Sequence, residues 1–536
     1  MIYSSLTMVS RVMGFARDLA VTYAMGASAT YAADAFNTAF AFPNLFRRIF
    51  AEGAFAAAFV PAYSRALEQD GEEKADILAA DAMATLAAFT VAITIVAELA
   101  LPWGLMYLIA PGFHSDPAKF RLAITLTQIT MPYLPCMAIY AHLSGVLNAR
   151  NRFILSAAAP ILLNLWTLVA VLPATTPVGA AEAASWGVLV AGVSQAALLW
   201  WGVRRSGAKV DWRLPRLTPE IRALIGRAVP GAIAASATQV NVFVSGILVS
   251  QVNGARSWLA VCDRLYQLPL ALVGVAVGVA LLPRLSRAVH AGDRDGSRAA
   301  LDQAVTFSMA MTLPAAVALT VMPVFLIDAL YTRGAFTFDD ATATAGALQQ
   351  YGWGVPAFVL AQLSSRAFFA HQDTRTPMRF ALISVAVNIV AGVSLYQFIG
   401  VTGIALATSL AAWINVGQMF VALSRRRMYR PSPVAWARLG RIALANLALA
   451  LILGAAAYFR HAIEAPFAGL HVGHALGAKE IAVMLVVVGG GALYPPLLFA
   501  FGGLKLAEVK AAMRRQPRTP DIEEDLGKTP AGPDLL

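Results

Sequence analysis

The sequence predicts an all-α polytopic membrane protein with fourteen transmembrane helices. Three observations carry that reading. Of the 536 residues, 58% are hydrophobic and only 13% are charged, against about 25% charged in a soluble domain. Apolar runs of roughly 20 residues, the length that spans hydrocarbon, recur between short polar breaks. These runs are continuous and do not alternate with period two, which excludes an outer-membrane barrel. The two cysteines, Cys136 and Cys262, sit in apolar runs. Neither a disulfide framework nor a thiolate metal site is expected from them.

In chain order the runs lie near 2–24, 34–63, 77–109, 122–147, 153–173, 180–203, 222–251, 258–283, 302–331, 342–365, 380–398, 402–424, 442–459 and 480–503. Span 1 carries Arg11, Arg17 and Asp18 inside its apolar stretch, which the core of a cleavable signal peptide would not. Span 2 is punctuated by Pro43, Gly53 and Pro61, the composition of a kinked or interrupted helix. Spans 3 to 7 are bounded by polar loops, and span 5 carries Asn164. Span 8 holds Asp263 and Arg264, with Gly274 and Gly278 spaced for close helix packing. Span 11 carries Asn388. After span 14, the tail from Arg514 to Leu536 is proline-rich and charged, the composition of a disordered segment.

The net charge of +11 follows from where the basic residues lie. The odd-numbered loops hold only Lys119, Arg121, Arg256, Arg333, Arg460 and Lys479, while the even-numbered loops and the tail hold 29. This bias places both termini in the cytoplasm and accounts for the charge without nucleic acid. Six arginines remain inside or beside the spans: Arg11, Arg17, Arg47, Arg48, Arg227 and Arg264.

A short repeat joins the two halves of the chain. Pro61-Ala62-Tyr63-Ser64-Arg65-Ala66 ends span 2, and Pro283-Arg284-Leu285-Ser286-Arg287-Ala288 ends span 8. Asn164 and Asn388 are spaced almost equally. The copies are six spans apart and share an orientation, which predicts two parallel six-helix bundles.

The five arginines in spans 1, 2 and 8 set the chemistry. Lipid exposure would cost roughly 2.5–3.5 kcal/mol each on the insertion scale. They must line a wet cavity or pair with acids. Candidate partners are Asp18, Asp34, Glu52 and Asp263. Arg48 and Glu52 are i,i+4 on one helical face, and Arg11 and Asp18, seven apart, also share a face. Such pairs could simply hold helices together. Five guanidiniums against four acids favour an anion site instead, because the planar fork of arginine matches phosphate oxygens two at a time. No nucleophile–histidine–acid set is visible. Gly527-Lys528-Thr529 lacks the first glycine of a phosphate loop, position 522 being Ile522.

Several runs resemble the MurJ/MviN family of lipid II flippases, within the multidrug/oligosaccharidyl-lipid/polysaccharide exporter superfamily. They are Ser10-Arg11-Val12-Met13-Gly14-Phe15-Ala16-Arg17-Asp18, then Asp34-Ala35-Phe36, then Pro43-Asn44-Leu45-Phe46-Arg47-Arg48-Ile49-Phe50-Ala51-Glu52-Gly53-Ala54-Phe55. Asp263-Arg264-Leu265 with Pro269 and Gln372-Asp373-Thr374-Arg375-Thr376-Pro377 extend the similarity, which runs from about residue 4 to about 510. The resemblance implies two lobes around a central cavity that opens alternately to each side. It places an N-terminal lobe at 1–204, a C-terminal lobe at 205–430, a lipid-facing groove at 431–503 and a cytoplasmic tail at 504–536.

The implied substrate is lipid II, a disaccharide-pentapeptide on undecaprenyl pyrophosphate, moved outward across the bacterial inner membrane without enzymatic turnover. Carried over by motif, Arg11, Arg17, Arg48, Arg264 and Asp34 would bind substrate. Asp18, Glu52, Asp263 and Arg47 would form gating ion pairs. The implied partners are lipid II, membrane lipids and the cell-wall synthesis machinery. No cofactor or metal is implied, and coupling to the membrane potential or an ion gradient stays open, since spans 11 and 12 offer Asn388 no acidic companion for sodium. A multidrug or O-antigen exporter would share the fold, and the Pro43–Phe55 stretch argues against it. A membrane-embedded lipid II polymerase would need a catalytic external acid. Asp116, Glu182, Asp339, Asp340 and Glu464 stand in no such setting.

Overall fold

The computed structural model describes residues 2–46, 55–469 and 477–503. Among them every regular element is helical. Span 1 is α1 (Ile2–Met25). Span 2 comprises α2 (Ala32–Phe46) and α3 (Phe55–Gln69). Span 3 is α4 (Glu72–Ala100), continued through a π turn into α5 (Met106–Ile109). Span 4 divides into α6 (Pro117–Thr130) and α7 (Tyr133–Ala149). Then come α8 (Ile154–Val171), α9 (Pro177–Arg205), α10 (Pro219–Val249) and α11 (Ala255–His290). Span 9 splits into α12 (Arg294–Val321) and α13 (Pro323–Tyr331), and span 10 into α14 (Phe338–Gly352) and α15 (Val355–Ala370). α16 (Arg375–Ile399), α17 (Val401–Arg425), α18 (Pro433–Tyr458), short α19 (Arg460–Glu464) and α20 (Ala478–Ala500) complete the chain. Helices thus occupy each of the fourteen runs. Among the described residues, nine stretches are long and apolar enough to cross a membrane unaided.

Local chemistry sets the helix starts. Asp116, Thr176, Thr218 and Ser432 each precede a proline at the first helical position, and each side chain accepts a backbone N–H one turn on. The cap satisfies an orphan donor, and the proline lacks the N–H that would have been another. Span 9 breaks at Met322, whose ψ of 40 leaves the helical region just before Pro323.

The packing is duplicated. α1 packs on α8, α8 on α9, α7 on α9 and α2 on α6. Six spans later α10 packs on α16, α16 on α17, α15 on α17 and α11 on α14. The turns repeat as well. Asn151 and Gln372 both adopt positive φ, at 59° and 58°. The residue after each donates its N–H five residues back, Arg152 to Leu147 and Asp373 to Phe368. In the second turn, the hydroxyl and backbone N–H of Thr376 hold the Asp373 carboxyl well below the usual carboxylate range, at about 2, with Arg426 adding to the effect.

Small residues let the helices approach closely, which is how packing is gained where lipid removes the hydrophobic drive between helices. Ala75, Ala79, Ala80, Met83 and Leu147 are buried together in one cluster of the first half. In the second half Ala310, Leu319, Phe325 and Leu348 share a core with Leu449 and Leu453 of α18 and Val483 and Leu498 of α20. A buried polar link ties these layers. The Tyr494 hydroxyl donates to the Ala310 carbonyl and accepts from Asn446 Nδ2. Leu99, Trp103, Val390, Leu451 and Val488 stand exposed, as a lipid-facing shell requires.

Candidate functional site

The end of the bundle at which α1 finishes is called here the far end, and the other the near end. Toward the far end, α1 and α11 are joined by an ion bridge. Arg17 Nε and Nη2 both reach Asp18 Oδ1, at 3.0 and 2.6 Å. From α11, Arg264 Nε pairs with the other oxygen, Oδ2. One carboxylate therefore takes two guanidiniums, one from each half of the chain, and the cluster keeps a net positive charge. An acid so held occupies the place that two phosphate oxygens would take.

The other expected site residues separate from this bridge. Arg11 lies on the Asp18 face of α1, about 10 Å nearer the near end by helical rise, and is exposed. Asp263, one residue from Arg264, points elsewhere: it bonds the Tyr266 hydroxyl, whose ring stacks on Tyr351 at 4.9 Å. Arg47, Arg48 and Glu52 lie outside the described residues.

Among the described residues, Asp34 makes no ion pair with an arginine. It is fully buried in a seam between the halves at the far end. Its Oδ2 accepts from Lys119 Nζ at 2.7 Å and from the Gly254 N–H at 2.8 Å. Its Oδ1 accepts from the N–H and hydroxyl of Ser257, both at 3.3 Å. Gly254 precedes α11 and offers it no side-chain cap. A carboxylate from α2 therefore caps a helix of the other half, where the helix dipole also favours negative charge.

Asp340 makes the reciprocal tie. Within its own helix its Oδ2 closes a capping box with Thr337. Across the seam its Oδ1 accepts from the Ser28 N–H at 2.9 Å and from Trp258 Nε1 at 3.0 Å. Burial raises the Asp340 pKa, but the bonds from Ser28, Thr337 and Trp258 outweigh it and leave the carboxyl below its ordinary value. Asn253 adds a bond from its Nδ2 to the Ser28 carbonyl, at 2.7 Å.

Backbone contact completes the seal. A Cβ on Gly112, between α5 and α6, would lie 2.2 Å from the Ser250 carbonyl oxygen at the end of α10. A Cβ on Gly26 would lie 2.4 Å from the Ala335 oxygen. Backbone cannot yield as a flexible side chain can. Gly112→Ala is therefore expected to part the halves at the far end while each half stays folded. Accessibility of a cysteine placed at Ser28 to a membrane-impermeant maleimide checks this, and unchanged protection would refute it.

Sequence reasoning missed Lys119, Asn253, Ser257, Trp258 and Asp340 as parts of this seam. The missing signal was in the charge map. The basic residues of the odd-numbered loops run against the general bias, and the structure gives each a hydrogen bond or an ion pair. Lys119 holds Asp34. Arg256 donates to the Ile109 and Gly246 carbonyls. Arg333 pairs with Glu480. Lys479 and Arg460 both pair with Asp328. Among the described residues, the Arg121 side chain bonds only the Pro117 carbonyl in its own helix.

The family model described as lipid II flippase MurJ matches residues 21–472. The chain belongs to the lipid II flippase MurJ family. A probable lipid II flippase MurJ of Rhizobium tropici is 38% identical over 518 residues, covering 96% of each chain. The lipid II flippase MurJ of Burkholderia cenocepacia is 35% identical over 444 residues, covering 81% of this chain and 85% of its own. A solved MurJ structure in an inward closed conformation matches with a TM-score of 0.76 at 25% identity, over 93% of this chain and 98% of that one. A multidrug MATE transporter of the MOP superfamily, inward-facing, matches with a TM-score of 0.62 at 14% identity, over 80% of this chain and 97% of its own. That likeness is one of fold. This MurJ family member is a multi-pass membrane chain, and its seam and ion bridge join its two halves.

Proposed function

We propose that the chain carries lipid II from the inner to the outer leaflet of the bacterial inner membrane, by alternating access between two lobes, α1–α9 and α10–α17. The observation that carries this reading is the Arg17–Asp18–Arg264 bridge. Two guanidinium forks, one per lobe, converge on one carboxylate, and a pyrophosphate carries more charge and more acceptor oxygens than that carboxylate. Substrate anions would displace Asp18 and draw on both lobes at once. Such differential contact is what lets a ligand shift a two-state equilibrium. We read the far end as the external end, the side that the Lys/Arg distribution favours. The seam closes that end in the structure described here.

α18 and α20 offer an apolar surface for the prenyl chain, and Arg11 extends the positive charge along the Asp18 face of α1. None of these roles needs a bond made or broken, so the chain acts as a transporter.

The test is lipid II exposure at the outer leaflet of cells depleted of their own flippase. The chain is expected to restore it. A well-expressed chain that restores none would overturn the lipid II assignment and favour a multidrug-type exporter of the same fold.

A further inference from the structure

Tyr331 packs against α1, the helix that carries Asp18. It ends α13, is 1% exposed, and sets its ring edge-on to Phe15 of α1 at 6.5 Å and tilted to Phe336 at 6.2 Å. Its hydroxyl is buried with no hydrogen-bond partner among the described residues. A hydroxyl in that condition forfeits about 1–3 kcal/mol of solvation, and such a group calls for an explanation. The charges that act on it are Asp18 and Arg264, the two sides of the ion bridge.

The phenol is also held in place. One turn earlier on α13, Asp328 is gripped by Lys479 Nζ at 2.9 Å and by Arg460 at 3.7 Å. Just beyond the helix, Arg333 is gripped by Glu480 at 2.9 Å. α13 is thus clamped to α19 and α20, while the ring of its last residue meets Phe15, three residues before Asp18 on α1. With its ring against Phe15 and Phe336 the hydroxyl is a fixed donor, and Asp18 Oδ2, the oxygen paired with Arg264, is the one that a turn of Arg264 opens.

We propose that Tyr331 is a positioning residue of the anion site: its unpartnered hydroxyl takes over Asp18 when Arg264 turns to the phosphate oxygens of an incoming substrate. Handing Arg264 to the anion deprives the half-buried Asp18 of one of its two cations. A waiting donor offsets that loss, so Arg264 is released at lower cost. This inference rests on the pyrophosphate reading of the site.

The experiment measures binding of lipid II, and separately of inorganic pyrophosphate, to the full chain in nanodiscs. Tyr331→Phe keeps both ring contacts and removes only the hydroxyl. It is expected to weaken both ligands about tenfold, the worth of one hydrogen bond to a charged group, with no loss of thermal stability. 3-Fluorotyrosine at 331 keeps the hydroxyl and should retain parental affinity. In an Asp18→Asn background the Tyr331→Phe effect should largely vanish, which a merely structural role would not produce. Lipid II binding by the parent with no change in Tyr331→Phe, or an equal change with and without Asp18, overturns the inference and leaves the proposed function standing. Pyrophosphate binding without lipid II binding overturns the function, and the Tyr331→Phe result with pyrophosphate then decides the inference. Binding of neither ligand overturns both.

Discussion

Asp34→Ala is expected to unlock the far-end seam. The substitution leaves Lys119, a residue 4% exposed, with the Asn253 side-chain oxygen as the one bonded polar partner of its ammonium among the described residues. It also orphans the Gly254 and Ser257 N–H groups at the start of α11. Breaking a buried pair by removing one partner costs about 3–5 kcal/mol, and about 5.5 kcal/mol carries a two-state population from 99:1 to 1:99. A protein that rests mostly with this seam closed should therefore spend much of its time with it open. Spin labels on Ala118→Cys and Asp339→Cys, both exposed positions on opposite halves, would report the change as a longer distance, in a chain whose Cys136 and Cys262 are replaced by alanine. Lys119→Met should act in the same direction but more weakly, because Asp34 would still cap α11. An unchanged distance in Asp34→Ala would remove the seam from the transport cycle. The same variant separates two roles for this acid: as a clamp it alters the distance, whereas as a substrate ligand it would alter affinity with the distance unchanged.

Arg264→Ala is expected to abolish restored lipid II exposure and to weaken lipid II binding about a hundredfold, the worth of two charge-assisted hydrogen bonds. Misfolding is not the cause to expect. Asp18 keeps both bonds from Arg17, and Arg264 is 36% exposed, so no buried charge is stranded. Arg264→Lys should recover only part of the function, because an ammonium cannot engage two oxygens as a planar fork. Expression and melting temperature matched to the parent, with full flipping retained, would make Arg264 a strut between the lobes.

How far these residues could be read from the chain differs case by case. Arg17, Asp18 and Arg264 stood out because a charge inside an apolar run is expensive, and the expense is visible in one dimension. Asp34 stood out for the same reason, but its partner did not. Lys119 lies 85 residues away, and nothing local in the sequence links a loop lysine to an acid on another helix. Asp340 read as an unremarkable external acid, because its function is to reach Ser28 and Trp258 in other elements. The four capped helix starts carry a local signal, a capping side chain before a proline, in Asp116-Pro117, Thr176-Pro177, Thr218-Pro219 and Ser432-Pro433. The duplicated turn at Asn151 and Gln372 carries none, since neither residue type demands positive φ.

What the sequence determined by itself is the class of molecule. Hydropathy, run length and charge bias set a helical, multi-pass chain with one end of the bundle poor in basic residues, because burial in lipid is a sum over local composition. Its arginines announced an anion site for the same reason. What only the tertiary structure decided is how the halves meet: which acid faces Arg264, that Asp34 caps α11 from α2, and that Gly112 and Gly26 let backbone touch backbone across the seam. Those contacts depend on separations of a few ångströms between residues far apart in the chain, and composition and periodicity carry no record of distance.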